Sequence, residues 1–327
     1  MTITGSRIVA TGIVLAILLA GFVDLYLLRP RQLQRPKLGG ELVSHALSHQ
    51  GLSRNYWLYL PPGLKPGAPV MLALHGAGGD GRQMRLLTGG QFDRLADLHG
   101  MAVVYPDGFA RRWNDCRRSG GDQAVDDVGF LRALIADVAA QLGVDRARVS
   151  VVGFSSGGDM GLRLALESPG TVAALAMVGA SVPAPDNMLC AAKPAKLPPI
   201  MVINGTEDRI TPYQGGRVSV LGRDRGDVLS ARRSAQWLSG STRPQVTDER
   251  LAQASTDGSW VSRSAWRGEA GSVELYTVHG GGHTLPQPYV RYPRLLGHTH
   301  AQFDGIAVIG KLFITGNRRG RDPCALC

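Results

Sequence analysis

The stretch VSVVGFSSGGDMG at residues 149–161 changes within a few residues from a strand-forming pattern to a helix-forming one. β-Branched residues fill its first half and a glycine ends them, which is typical of a buried parallel strand. Residues 159–167 then space their apolar side chains at helical intervals. A strand that turns directly into a helix places Ser155 at the tip of the turn, inside the G-x-S-x-G pentapeptide at 153–157.

This context favours a nucleophile at Ser155 over a chance occurrence of the pentapeptide. Glycine is abundant, with 43 residues, so the pentapeptide alone arises easily by chance. The tip of such a turn is a strained backbone position, and only small neighbours fit between the helix and the adjoining strand. The hydroxyl of Ser155 would point out over the strand ends. We therefore interpret the stretch as a nucleophile elbow.

Strands and helices alternate along the rest of the chain. The sequence predicts strands at 54–60, 69–74, 101–105, 149–153, 173–178, 200–203 and 273–278. It predicts helices at 92–99, 127–142, 159–167, 228–238 and 303–313, with Asp126 capping the second. This order indicates an α/β fold with a mostly parallel central sheet and helices on both faces, as in the α/β-hydrolase fold. Ligands bind at the carboxyl ends of the strands in such sheets.

A serine nucleophile needs a base, and in this fold the base is a histidine that comes after the acid in the chain. Four histidines follow Ser155. His283 comes after a strand and a three-glycine loop that lets its imidazole reach the sheet edge. His279 lies at a strand end and reads as a core or hydrogen-bonded residue, whereas His298 and His300 read as surface-loop residues. We assign the base to His283.

The acid that orients the base is assigned to Asp208. Asp208 lies four residues beyond Asn204, at the end of a predicted strand. The adjacent Glu207 is the competing candidate, and Asp304 is expected to start the last helix.

A serine acyl-transfer site also needs N–H donors for the tetrahedral oxyanion. The backbone N–H of Ser156, directly after the nucleophile, supplies one donor. The glycine-rich loop after the strand at 69–74 is expected to supply the other, from Ala77 or Gly76.

Charge and cysteine content narrow the function classes. The net charge is +10 and the pI about 9.8, but the basic residues are scattered pairs without interleaved aromatics, which argues against nucleic-acid binding. A basic surface beside anionic envelope lipid is the favoured interpretation. The C-terminal pair Cys324 and Cys327 has no accompanying histidine or second cysteine pair, so no metal site and no cofactor are predicted.

Several stretches in combination resemble the polyhydroxybutyrate depolymerase and feruloyl esterase group of α/β-hydrolases, notably LpqC-like secreted esterases. They are YWLYLPPG (56–63), LALHGAGGDG (72–81), VVYPDG (103–108), VDDVGFLRALIADV (125–138), GFSSGGDM (153–160), INGTEDRITPYQGG (203–216) and GGGHTLP (280–286). The resemblance covers most of residues 41–315. It implies carboxylester hydrolysis outside the cytoplasm through Ser155, Asp208 and His283. We expect a monomer that acts on short-chain, hydroxyalkanoate-oligomer or feruloyl/acetyl esters.

The chain departs from that group in ways that bear on its substrate. Leu285 stands where members often have tryptophan, and cysteines that members often carry near residues 240–241 and 268–269 are absent. No separate substrate-binding domain follows, so soluble oligomers or small esters are favoured over crystalline polymer. Substrate contacts are assigned to His75, Trp113 and Leu285. A serine peptidase on the same fold and a non-catalytic hydrolase-fold binding protein are the alternatives.

The N-terminus is predicted to be a membrane anchor or signal segment. The apolar stretch Ile8–Leu28 is long enough to span a bilayer, and a secretory signal or a buried helix is the alternative. The basic residues at 29–37 would favour a cytoplasmic catalytic domain, whereas the resemblance places it outside. We expect an exported enzyme, anchored and facing outward or released near Ala20. The expected organisation is an anchor or signal at 1–28, a linker at 29–40, a catalytic domain at 41–317 and a tail at 318–327.

Four cysteines are compatible with disulfides in an exported protein. Cys116 and Cys190 both lie in predicted loops beside strand ends on the active-site side. We predict that they pair, with Cys324 and Cys327 free or paired separately. Four unpaired thiols are the alternative, which a cytoplasmic location would favour.

Overall fold

The computed structural model describes residues 21, 23, 27–120, 122–190, 196–220, 222–251, 255 and 257–319. Most of the predicted anchor or signal segment at 1–28 lies outside these residues, as do Cys324 and Cys327. Within the described part of the chain, every helix is too short or too polar to cross a bilayer.

Fourteen β-strands are present among the described residues. They are β1 (Arg31–Gln32), β2 (Glu41–His49), β3 (Leu52–Leu60), β4 (Val70–Leu74), β5 (Ala102–Pro106), β6 (Val149–Phe154), β7 (Ala174–Val178), β8 (Ile200–Gly205), β9 (Gly216–Val220), β10 (Arg223–Val228), β11 (Val246–Arg250), β12 (Trp260–Arg267), β13 (Ser272–His279) and β14 (Val290–Arg291).

Six α-helices accompany them in that part of the chain. They are α1 (Gly81–Leu87), α2 (Gln91–His99), α3 (Asp127–Leu142), α4 (Ser156–Glu167), α5 (Ala231–Ser239) and α6 (Gly305–Arg319). Short 3₁₀ turns lie at Phe109–Arg111 and Arg294–Leu296. The predicted cap of α3 is confirmed, because the Asp126 side chain accepts a hydrogen bond from the N–H of Gly129 at 2.8 Å.

The central sheet has ten strands in the order β11-β12-β13-β8-β7-β6-β4-β5-β3-β2. The run from β13 to β5 is parallel, and the two strands added at each edge are antiparallel. Two small sheets, β9–β10 and β1–β14, lie apart from it. The architecture is an α/β-hydrolase fold, and it confirms the predicted mostly parallel sheet.

Helices cover both faces of this sheet. One apolar core includes Phe130 of α3, Met160 of α4 and Ala235 of α5, whereas the other includes Phe92 of α2 and Phe313 of α6. The central strands β4, β5, β6 and β7 are buried along their whole length, so they read as continuous apolar runs. This packing brings the carboxyl ends of β4, β6, β7 and β8 to one edge.

Candidate active site

Ser155 occupies the one-residue turn between β6 and α4. Its backbone has φ 53° and ψ −124°, a conformation that non-glycine residues rarely adopt. The neighbouring glycines are required by space, because a Cβ on Gly153 would lie 2.1 Å from the carbonyl oxygen of Gly157. A Cβ on Gly157 would in turn lie 2.4 Å from the carbonyl oxygen of Leu74. The backbone is therefore that of the elbow predicted from the sequence.

The side chains of His283 and Asp208 are joined at the neighbouring strand ends. Nδ1 of His283 lies 2.7 Å from Oδ2 of Asp208, and both side chains are almost completely buried. The other oxygen of Asp208 accepts from the N–H groups of Ile210 and Thr211, at 2.8 Å each. These bonds fix the carboxylate, and it can in turn hold the imidazole in one orientation.

Glu207, the competing acid, faces away from this pair. It is exposed, and its backbone N–H donates to the carbonyl of Gly281 at 2.9 Å. Only Asp208 of the two acidic residues therefore contacts His283.

The three-glycine loop before His283 packs tightly against the end of β8. A Cβ on Gly205 would lie 2.2 Å from the carbonyl oxygen of Gly281, and one on Gly282 would lie 2.4 Å from that of Leu296. The N–H of His283 itself donates to the Leu296 carbonyl at 2.7 Å. The loop is thus a close-packed connection that fixes where the imidazole lies.

The imidazole of His283 packs beside the elbow. The ring of Phe154, the residue before Ser155, has its centroid 5.0 Å from the centroid of the His283 ring. The N–H of Ser155 donates to Val178 at 2.7 Å, and a Cβ on the following Gly179 would lie 3.0 Å from Cε1 of His283. Ser155 and His283 therefore share immediate neighbours. Sequence analysis missed Phe154 and Gly179, although a glycine directly after a buried strand is a usable signal for the second.

Three backbone N–H groups at the elbow and in the glycine-rich loop after β4 are available to an oxyanion. In the described part of the chain, the N–H groups of Ser156, Gly76 and Ala77 have no hydrogen-bond acceptor. A Cβ on Gly76 would lie 3.3 Å from Cβ of Ser155, so the glycine-rich loop after β4 runs against the elbow. This arrangement is compatible with the predicted donors.

His75 and Trp113 hold the glycine-rich loop in place through hydrogen bonds to backbone groups. Nδ1 of His75 lies 2.7 Å from the carbonyl of Gly76, while Nε2 accepts from the N–H of Gly108 at 2.8 Å. Burial lowers the pKa of His75 to about 4, which keeps the ring neutral as these bonds require. Nε1 of Trp113 donates to the carbonyl of His75 at 2.8 Å.

Direct substrate contact by His75, Trp113 or Leu285 stays a prediction. All three side chains are buried, with exposed fractions of 1%, 1% and 2%. The hydrogen bonds that His75 and Trp113 make are with the backbone of His75, Gly76 and Gly108, so their observed role is to position the glycine-rich loop.

A buried charge cluster lies behind the elbow, and sequence analysis did not identify it. Arg117 forms an ion pair with Asp115, and its Nη2 lies 3.3 Å from Oδ2 of Asp159 in the first turn of α4. Two carboxylates thus share one guanidinium away from water. The adjacent Cys116 is joined to Cys190 by a disulfide, the pairing predicted from the sequence.

The other histidines are placed differently from one another. His279 stacks on Trp260 with ring centroids 3.6 Å apart, as a core-like residue would. His298 is exposed as expected, but the prediction that His300 is a surface-loop residue is wrong, because it is fully buried against Ser259.

Comparison with known proteins gives an independent view of the family and the fold. A family model described as esterase PHB depolymerase matches residues 54–233. NocK of Nocardia uniformis subsp. tsuyamanensis, whose name describes it as an esterase, is 29% identical over 292 residues, or 82% of this chain and 81% of that protein. Feruloyl esterase B of Piromyces equi is 29% identical over 162 residues, or 47% of this chain and 28% of that protein.

Among solved structures, an acetyl xylan esterase from Aspergillus awamori superposes with a TM-score of 0.54. It is 14% identical, and the match covers 75% of this chain and 95% of that one. At this identity the likeness is one of fold.

Proposed function

The chain belongs to the esterase PHB depolymerase family and is a carboxylic ester hydrolase, and we propose that it acts through Ser155, Asp208 and His283. The observation that carries this proposal is the buried Asp208–His283 hydrogen bond of 2.7 Å, formed beside a serine on a strained elbow. The geometry supports nucleophilic catalysis with a covalent acyl-enzyme intermediate.

The first half of the reaction acylates the serine. With Nδ1–H of His283 donating to Asp208, the unprotonated Nε2 is free to take the proton of the Ser155 hydroxyl. The oxygen attacks the ester carbonyl, and the resulting oxyanion accepts hydrogen bonds from the N–H of Ser156 and from that of Ala77 or Gly76. When the C–O bond breaks, Nε2 returns the proton to the leaving alcohol.

The second half releases the acid. Water gives a proton to Nε2 of His283 and attacks the acyl carbonyl, so that a second tetrahedral oxyanion forms at the same N–H groups. Collapse breaks the bond to Ser155, which recovers its proton. The chain needs no cofactor for either half.

The substrates we propose are short-chain esters, hydroxyalkanoate oligomers and feruloyl or acetyl esters. The names of the relatives support this class, since one is a feruloyl esterase and another a bifunctional acetylxylan esterase/xylanase. We further propose that the enzyme is exported, anchored or released, and acts as a monomer. The Cys116–Cys190 disulfide supports export, because disulfides persist in oxidising compartments.

Turnover of p-nitrophenyl butyrate, methyl ferulate, hydroxybutyrate oligomers and peptide anilides tests the proposed function. We expect hydrolysis of the esters and not of the anilides. Ser155→Ala is expected to lower ester turnover by roughly ten-thousand-fold or more. Substrate binding and the oxyanion site should leave a small residual rate. Ser53→Ala, in an exposed position of β3, is the control and should match the wild type.

Two outcomes would contradict the proposal. Near-normal ester turnover by Ser155→Ala would remove the assigned nucleophile. A folded wild-type protein that binds esters without hydrolysing any of them would favour a non-catalytic binding protein, and preferential cleavage of anilides would favour a peptidase.

A further inference from the structure

A second cluster of chemically competent side chains lies outside the proposed catalytic site. Asp257 precedes β12, and His298 and His300 follow the 3₁₀ turn at Arg294–Leu296. One nitrogen or oxygen atom from each of these three side chains lies within 4.8 Å of those from the other two. The fold thus brings two imidazoles and a carboxylate from distant parts of the chain to one point.

The hydroxyl of Ser259 lies at the centre of this group. Its Oγ is 2.6 Å from Nδ1 of His300, 2.6 Å from Oδ1 of Asp257 and 3.5 Å from Nε2 of His298. Nε2 of His298 is also 3.0 Å from Oδ2 of Asp257. Possible metal-ligand atoms of Asp257, His298 and His300 therefore lie close together around the Ser259 hydroxyl.

Protein hydrogen bonds already join much of this cluster, since Oδ1 of Asp257 accepts from the hydroxyls of Ser255 and Ser259 and from the N–H of Ser259. His300 is fully buried, and its Nε2 has no hydrogen-bond partner in the described part of the chain. Nδ1 of the same ring faces the Ser259 hydroxyl, so an ion at this point would bind His300 through Nδ1 in place of that hydrogen bond.

An ion can reach the cluster from solvent. The side chains of Asp257 and His298 are 47% and 39% exposed. Both line a cleft of about 460 Å³ that also includes Gln287, Tyr292 and Thr299. The cluster therefore has a buried ligand on one side and an entry path on the other, as a metal site requires.

The donor set selects the class of ion. Neutral imidazole nitrogen suits borderline metals, whereas Ca²⁺ and Mg²⁺ prefer oxygen ligands alone. Two histidines and one carboxylate are a common zinc donor set, with the remaining position left to water or a hydroxyl. We propose that Asp257, His298 and His300 bind one divalent ion of the zinc class, separate from the proposed catalytic site.

This ion would fasten the segment that carries His283. The N–H groups of Gly282 and Gln287 donate to the carbonyls of His298 and His300, at 2.9 Å each. A metal that holds both histidines to Asp257 therefore also holds the acceptors of these two bonds. Local opening of the His283 segment then becomes rarer when the ion is bound.

Titration of Zn²⁺ into the metal-free full-length chain, followed by calorimetry and native mass spectrometry, tests the site. Because loss of even an outer-shell partner weakens metal binding by about 10–100-fold, loss of a ligand is expected to weaken it by at least about 100-fold. Asp257→Asn and His298→Ala, both at exposed positions, should each remove one equivalent of bound Zn²⁺. His49→Ala is the matched control, since His49 lies 3.0 Å from Asp126 in an imidazole–carboxylate pair outside this cluster.

Hydrogen exchange provides a second readout that does not depend on activity. Saturating Zn²⁺ should slow exchange of the Gly282 and Gln287 amides in the wild type and in His49→Ala, but not in His298→Ala. No stoichiometric Zn²⁺ binding, or binding that survives in both Asp257→Asn and His298→Ala, would overturn the site. Binding with unchanged amide exchange would overturn its role in fastening the His283 segment.

Discussion

At the residue scale, the choice of acid rests on which of two adjacent carboxylates meets the imidazole. Asp208 is buried and bonded to His283, whereas Glu207 is exposed. We expect Asp208→Asn to lower kcat by about ten-thousand-fold, because an amide favours the wrong imidazole tautomer. Glu207→Gln should stay within a few-fold of the wild type. Steady-state kinetics on one ester checks both, and the reverse pattern would show that the acid is Glu207.

The buried carboxylate of Asp159 gives a pH dependence of stability. Burial raises the pKa of Asp159 to about 7; Arg117 opposes this shift and Asp115 adds to it. An aspartate in the unfolded chain titrates near 3.9, so between about pH 4 and 7 the folded protein holds a proton that the unfolded chain has lost. The contribution of Asp159 to the free energy of unfolding is therefore full below about pH 4, and it falls as the pH rises from about 4 to 7.

Replacing the Asp159 carboxylate with an amide tests the direction of this pH dependence. We expect Asp159→Asn to lose less stability than the wild type as pH rises from 4 to 7, measured as the midpoint of thermal unfolding. Asp186→Asn, at an exposed position, is the control and should keep the wild-type slope. Equal slopes for all three proteins would show that Asp159 is ionised throughout.

At the element scale, the turn after β7 helps to fix the imidazole. Gly179 has φ +60°, and a Cβ there would lie 3.0 Å from the His283 ring. Gly143, at the end of α3, has φ +64°, but its nearest contact would be an ordinary 3.8 Å. Alanine at either position meets an unfavourable backbone, which costs about 1 kcal/mol or more of unfolding free energy.

Only the first of these substitutions should affect catalysis. We expect Gly179→Ala to lower kcat by roughly 10–100-fold, because a displacement of about 1 Å in a reacting group has this effect. Gly143→Ala should lose similar stability with unchanged kcat. Denaturant unfolding and ester kinetics on both variants check this, and equal kcat values would mean that the imidazole tolerates the added methyl.

The elements around the elbow were predictable because their patterns are strong. Buried parallel strands such as β4 and β6 are continuous apolar runs, and α3 has both a cap and an apolar period. The edge strand β11, VTDER, and the hairpin strand β10, RDRGDV, were missed because both are polar; β11 is largely exposed and β10 is mostly half-buried. Pairing with a neighbour, rather than local sequence, makes them strands.

The site was predictable where chain order and strand ends determine it, and not where tertiary packing does. The G-x-S-x-G context and the glycine loop before His283 are visible in the sequence. The cluster of Asp257 with His298 and His300 was not, because 40 residues separate its two parts and no short motif joins them. The same holds for Arg117 and Asp159, which only the folded chain brings together.

At the scale of the whole molecule, the segment before the catalytic unit is attached to it. β1 pairs with β14, and the N–H groups of Gly39 and Gly40 donate to Asp97 and Tyr59 at 2.8 Å. A chain that leaves a membrane before Arg31 would therefore hold the enzyme close to the surface. Such proximity suits a protein of net charge +10 near anionic lipid.

A reporter fusion tests the proposed export directly. Alkaline phosphatase fused after Gly40 is expected to be active in a bacterial host, because the apolar segment would carry it across the membrane. A cytoplasmic reporter fused at the same point is the control and should be inactive. The opposite pair of results would place the enzyme in the cytoplasm, the side that the basic residues at 29–37 favour.

Peptide mapping after a fluorophosphonate reaction tests the proposed mechanism most directly. The reagent forms a stable bond only with a serine activated by a nearby base, and the base that we propose is His283, which packs against Phe154 beside the elbow. We predict one adduct per chain, located at Ser155, with loss of ester turnover in proportion to labelling and no adduct in Ser155→Ala. An adduct at a different residue, or full turnover by protein that is fully labelled at Ser155, would contradict the mechanism.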